Sequence, residues 1–107
     1  MQDRLNSLIE FLEETPEDAF LLFALAQEYA RLGETDKAIE SYQKLTALHP
    51  DYVASYYQLA KLLVLTEKHE DAAHTYKKGI HVALAQGDHH AHGELNAAYQ
   101  NFLDSQD

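Results

Sequence analysis

Cysteine is missing from all 107 residues, which rules out disulfides and thiolate-based metal or redox chemistry and leaves the redox compartment open. Only two prolines and four glycines interrupt the chain, so long helices can run without a breaker. Basic residues are scarce: eight Lys and Arg stand against 18 Asp and Glu, a formal net charge of −10. So acidic a chain repels phosphate backbones, because nucleic-acid binding depends on Lys and Arg displacing counterions. No apolar run approaches the roughly 20 residues of a membrane-spanning helix. The opening MQDRLNSLIEFLEE carries acids within its first apolar run and has no basic leader, so it does not read as a signal peptide. The expected setting is the cytoplasm, with neither nucleic acid nor membrane as partner.

What remains is ordinary for a folded chain: 46% hydrophobic and 24% charged residues, enough for one domain with a modest core. The acids are uneven. Residues 1–18 hold Asp3, Glu10, Glu13, Glu14, Glu17 and Asp18 against Arg4 alone, a local net charge of −5. Charge of this size serves solubility without requiring a partner.

Apolar residues recur with helical spacing along nearly the whole chain. Leu5, Leu8, Ile9 and Leu12 form one stripe, widened by Phe11. Thr15-Pro16-Glu17-Asp18 then reads as a helix start, with Thr15 as cap and Pro16 at the first helical position. The second helix carries Leu22, Leu25, Ala26 and Tyr29, and Gly33 stops it. A third, opening at Thr35 or Asp36, buries Ala38, Tyr42 and Leu45 with support from Ile39 and Leu48, and ends at His49-Pro50. The fourth is expected from Asp51 to Leu65, with Tyr56, Leu59, Ala60 and Leu63 inward. Its closing turn, Thr66-Glu67-Lys68-His69, has no glycine. A fifth spans 70–86 with Ala72, Ala73, Tyr76, Ile80, Ala83 and Leu84 inward. After Gly87 and a capping Asp88, a sixth covers 89–103 and buries Ala91, Leu95, Ala98, Tyr99 and Phe102.

The chain also matches itself at a shift of 34 residues: Pro16 on Pro50, Leu25 on Leu59, Ala26 on Ala60, Ala38 on Ala72, Tyr42 on Tyr76 and Lys44 on Lys78. A fixed period with helical punctuation marks a solenoid whose units bury one another's apolar faces. The small residues allow helix axes to approach, and the Leu and Tyr fill the wider gaps. This pattern resembles the tetratricopeptide repeat, in which each repeat is a helix pair, A and B. Leu22, Leu25, Ala26, Tyr29, Ala38, Tyr42, Leu45 and Pro50 fit a first copy. Tyr56, Leu59, Ala60, Leu63, Ala72, Tyr76 and Gly79 fit a second. Ala26 and Ala60 stand where the family favours Gly, no Trp is present, and Leu84 takes the place of the second Pro.

The resemblance implies an all-α fold of antiparallel helical hairpins stacked in a right-handed solenoid. Residues 1–18 would be an N-terminal half-repeat, 19–52 and 53–86 the two repeats, and 87–107 a capping helix and tail. With two full repeats where three are usual, the terminal helices must complete the core.

The resemblance further implies a concave groove lined by the A helices, in a non-enzymatic scaffold that binds a short segment of another protein. Carried over by position, the groove takes Phe20, Phe23, Gln27 and Arg31 from the first copy. The second supplies Ala54, Tyr57, Lys61, Val64 and Leu65, with Gln58 at the edge. Phe20 and Phe23 are apolar beyond what the buried stripe needs, and such patches mark interaction sites. The same residues could instead serve internal packing or a homodimer. Some family members grip a C-terminal carboxylate with a clamp of Lys, Asn, Asn, Lys and Arg. Phe23 and Gln27 occupy its first two positions here, so chaperone C-termini are not expected partners.

No enzyme signature is present: the serines lie in helices or the tail, and no glycine-rich phosphate loop occurs. No cofactor is expected. Seven His is a high count, and residues 87–94 place His89, His90 and His92 beside Asp88 and Glu94. His89 and His92 could share a zinc, nickel or copper ion, given second-shell support. A solvated first helical turn is the plainer reading.

Overall fold

The six amphipathic segments become six α-helices in the computed structural model, which describes residues 3–106. They are α1 Asp3–Glu14, α2 Ala19–Arg31, α3 Thr35–Leu48, α4 Ala54–Leu65, α5 His69–Gln86 and α6 His89–Asp104. No strand occurs among the described residues, so the fold is all-α. Two helices start later than the sequence suggests. The α2 cap is Asp18, whose Oδ1 accepts from the Leu21 N–H at 2.9 Å. Thr15 belongs to the end of α1 instead, its hydroxyl donating to the Phe11 carbonyl at 3.1 Å. Thr15 and Asp18 both carry cap-type oxygens, and the one that reaches an unpaired first-turn N–H prevails. Likewise Asp51 does not open α4; the Tyr52 N–H bonds back to the His49 carbonyl at 3.0 Å, and the helix begins at Ala54.

Three helices end in the same way. Gly33, Glu67 and Gly87 all have positive φ, at 80°, 62° and 68°. After each, the following N–H reaches back to a helix carbonyl: Glu34 to Tyr29 at 2.9 Å, Lys68 to Leu63 at 2.8 Å, Asp88 to Ala83 at 3.0 Å. That is the Schellman closure, which glycine enters without steric cost. Glu67 pays it, since a Cβ crowds the left-handed conformation.

The chain falls into two compact units, residues 1–52 and 53–107. In the first, α2 packs on both α1 and α3. Its core is Leu5, Leu8, Leu22, Ala24, Ala26, Ala38, Ile39, Tyr42 and Leu45. Ala26 and Ala38 are wholly buried, and Tyr42 fills the space beside them. The His49 ring nitrogen lies 2.6 Å from the Glu17 carbonyl, tying the end of α3 to the α1–α2 turn. In the second unit α5 packs on α4 and α6. Tyr56, Leu59, Ala60, Leu63, Ala72, Tyr76, Ala83, Leu95 and Phe102 are buried there. Tyr76, Tyr99 and Phe102 form an aromatic cluster with centroids 5.8–6.5 Å apart.

The stripes narrow at their margins. Ile9, Leu48 and Leu84, expected inward, are exposed. Each lies at the margin of its helix's apolar stripe, beside residues that are buried.

Gly79 shows how closely α4 and α5 approach. A Cβ built there would stand 2.6 Å from the Tyr56 Cβ and 3.3 Å from the Leu95 Cδ1. Gly79→Ala is therefore expected to destabilise the protein by about 1–3 kcal/mol through overpacking. Glu67→Gly, by contrast, is expected to stabilise by about 0.5–1 kcal/mol, because relief of the left-handed strain outweighs the added chain entropy. Chemical denaturation of both variants checks the pair; a neutral Gly79→Ala would mean the helices can separate freely.

Candidate interaction surface

The residues proposed to line a groove lie on α2 and α4, and the structure gives them unequal freedom. Phe20 is 70% exposed and not covered by α1. It is also the most water-exposed aromatic ring of the first unit. Phe23, one turn on, is half-buried. Its ring meets Tyr42 edge-on at 5.8 Å and leans on Tyr52 at 5.5 Å, so it supports the α2–α3 packing as well as offering an edge to solvent. Gln27 is exposed on the same stretch of helix.

Arg31 is exposed but engaged. Its Nε donates to Glu28 Oε1 at 3.1 Å and its Nη2 to Oε2 at 2.5 Å. Arg4, from α1, approaches Oε1 at 3.4 Å. The Glu28 side chain is only 3% exposed, while the two arginines are 64% and 62% exposed. A buried carboxylate thus anchors two guanidiniums whose outer edges face water, leaving a local surplus of positive charge in an acidic protein. Sequence reasoning missed Glu28. Its signal was an acid inside the apolar run AFLLFALAQEYAR, three residues before an arginine.

In the second unit, Lys61 and Leu65 are exposed, and Tyr57 and Gln58 are half-buried. Tyr57 and Gln58 line a cavity of about 140 Å³ whose other wall is Ala91, Glu94 and Leu95 of α6. So α6 contributes to this surface, which its reading as a plain cap did not suggest. Burial raises the pKa of the Tyr76 phenol, to which nearby Tyr57 adds a smaller push.

His90 Nε2 lies 3.8 Å from Glu94 Oε2, and His89 and His90 are exposed while His92 is half-buried. Among the described residues no group of three metal-ligating side chains converges. The Asp88 carboxylate is committed to the Ala91 N–H at 3.0 Å as the α6 cap. No helix among those residues is long and apolar enough to cross a membrane.

Known proteins share this architecture. A family profile described as TPR repeat matches residues 26–66, and one described as tetratricopeptide repeat matches 53–86. A tetratricopeptide repeat domain protein from Salinibacter ruber, solved in solution, is 37% identical, with a TM-score of 0.77. The match covers 81% of this chain and 88% of that one. The TPR2B domain of yeast Sti1, in complex with pHsp70, superposes with a TM-score of 0.86 at 19% identity, covering 94% and 81% of the two chains. The first TPR of Spaghetti, bound to the HSP90 peptide SRMEEVD, gives 0.73 at 19% identity, covering 92% and 77%. At such identities these two establish the fold alone. None of the curated proteins compared with the chain matches it.

The Glu28 anchor has a pH signature. Its hydrogen bond to Arg31 holds the carboxyl below the ordinary Glu value of 4.5, against the opposing effect of burial, with the charges of Arg31 and Arg4 assisting. A depressed folded-state pKa gives stability that is complete above 4.5 and is lost as pH falls through the folded value. Glu28→Gln should lower the melting temperature at neutral pH and flatten the acid limb of the melting curve below that point. Parallel acid limbs in the two proteins would remove Glu28 from this role.

Proposed function

This chain belongs to the tetratricopeptide repeat family, and we propose that it is a non-enzymatic scaffold that binds a short segment of another protein on an A-helix face, that of α2 in the first unit or that of α4 in the second. The single observation that carries the reading is Phe20, an aromatic ring 70% exposed on the same face of α2 as exposed Gln27 and the anchored Arg31. Exposed aromatics beside oriented polar groups are the usual anchors of protein interfaces, and the aromatics supply most of the affinity. Gln27 can bond a peptide backbone, and Arg31 is preorganised because Glu28 fixes its guanidinium plane. On α4, Tyr57, Gln58 and Lys61 supply the matching set of an aromatic, an amide and a cation. The pHsp70 complex of Sti1 and the HSP90 peptide complex of Spaghetti support the same use of the fold.

The ligand follows from the charges. Arg31 and Lys61 favour a segment with one or two acids, while a net charge of −10 repels a long acidic run. Phe23 and Gln27 replace the residues of the carboxylate clamp, so chaperone C-termini remain unfavoured. Affinity is expected in the micromolar range, about −8 kcal/mol, as befits two repeats.

Selection from a displayed library of short peptides, followed by fluorescence anisotropy on the enriched sequences, tests the proposal. Wild type should bind with micromolar affinity. A Phe20→Ser, Gln27→Ala, Lys61→Glu variant, altered only at exposed positions, should bind about tenfold or more weakly while melting like wild type. Equal binding by both proteins would place the function on another face, and sedimentation of a concentration-dependent dimer through Phe20 would replace the reading with self-association.

A further inference from the structure

The first unit carries a second surface, on the side of α2 turned away from Phe20, that the peptide reading does not use. Between α1 and α3, floored by α2, runs an open groove of about 390 Å³. Its floor is Leu25 and Tyr29, and Ile9 and Leu12 of α1 form one wall. The internal repeat shows that this openness is particular to the first copy. Leu25 and Tyr29 are half-buried, whereas their counterparts 34 residues on, Leu59 and Leu63, are 4% and 1% exposed. Positions that the repeat pattern makes apolar for burial are left half-uncovered here, and Ile9 is 39% exposed above them.

The rim is charged in an ordered way. Lys37 and Lys44, seven residues apart and so on one face of α3, both line the groove, with Glu40 between them. Neither lysine is ion-paired among the described residues; Lys37 reaches over the Tyr29 ring, 5.8 Å from its centroid. The α1 wall presents Glu13. The α3 side is therefore net positive and the α1 side negative, in a chain whose overall charge is −10.

We propose that this groove docks an amphipathic helix of a partner protein. Its apolar row at i, i+3 and i+4 lies on Leu25, Tyr29, Ile9 and Leu12, with acids on the flank facing α3 and a base on the flank facing α1. An open trough between two helices covers one face of its occupant, which suits a helix with one apolar stripe better than an enclosed small molecule. The complementary flanks set the specificity: a helix basic on both flanks is attracted by the protein as a whole but places a cation against Lys37 and Lys44.

Two designed helical peptides of equal length serve as probes, both with the same leucine row. One has Glu on one flank and Lys on the other; its companion has Lys on both. Wild type should bind the Glu/Lys peptide about tenfold more tightly than the Lys/Lys peptide by fluorescence anisotropy. A Lys37→Glu, Lys44→Glu variant, altered only at exposed positions, should reverse that preference. Leu25→Ser should weaken both peptides, with circular dichroism reporting whether it still folds. The Phe20→Ser, Gln27→Ala, Lys61→Glu protein should bind the probes as wild type does, which separates this groove from the peptide surface. A preference for Lys/Lys by wild type, or a preference unmoved by the charge reversal, would overturn the proposal.

Discussion

Four alanines decide how near the helices lie. Ala26, Ala38, Ala60 and Ala72 have no exposed surface at all, and each occupies a place where a larger side chain would hold two helix axes apart. With the backbones so close, Tyr42 and Tyr56 can fill the flanking spaces without voids, and Gly79 must do without a side chain against Tyr56. Close packing of this kind is intolerant of added methylenes. It also fixes which faces remain outside, because turning a helix about its axis would expose its buried stripe, Leu22, Ala24 and Ala26 on α2. The exposed residues of α2 and α4 are thus consequences of the same constraint that builds the core.

Much of this was legible from periodicity. The shift of 34 residues located the buried alanines and the pair Tyr42 and Tyr76, and the family resemblance followed from two in-register copies. The details that were not legible depend on partners distant in sequence. Glu28 looks like a solvated acid until Arg4 arrives from α1 and Arg31 from the next turn. Phe23 looks free until Tyr42 and Tyr52 close on it. The start of α2, expected at Thr15-Pro16, was misplaced for a local reason: Thr15 and Asp18 both carry cap-type oxygens, and only geometry selects Asp18. Glu67 is a different case: the missing glycine was visible, yet the chain still adopts the left-handed turn, because the Schellman bond from Lys68 holds the helix end.

Charge shapes what such a surface can bind. An acidic protein with few bases makes each base count, and here they are arranged as local exceptions. Arg4 and Arg31 share one buried carboxylate, while Lys37 and Lys44 edge an apolar trough. Long-range repulsion filters out strongly acidic partners, and short-range pairing selects among the rest. The two effects act over different distances, so specificity does not require high affinity.

The central claim is that the exposed faces of the A helices, not the His-rich turn, receive the short partner segment, at a surface separate from the α1–α3 groove. Backbone amide chemical-shift mapping with an enriched peptide tests it most directly. The account predicts shifts grouped on α2 around Phe20, Gln27 and Arg31 or on α4 around Tyr57, Gln58 and Lys61, with the outer faces of α3 and α5 silent. Shifts confined to α3, α5 or residues 87–94 would contradict it.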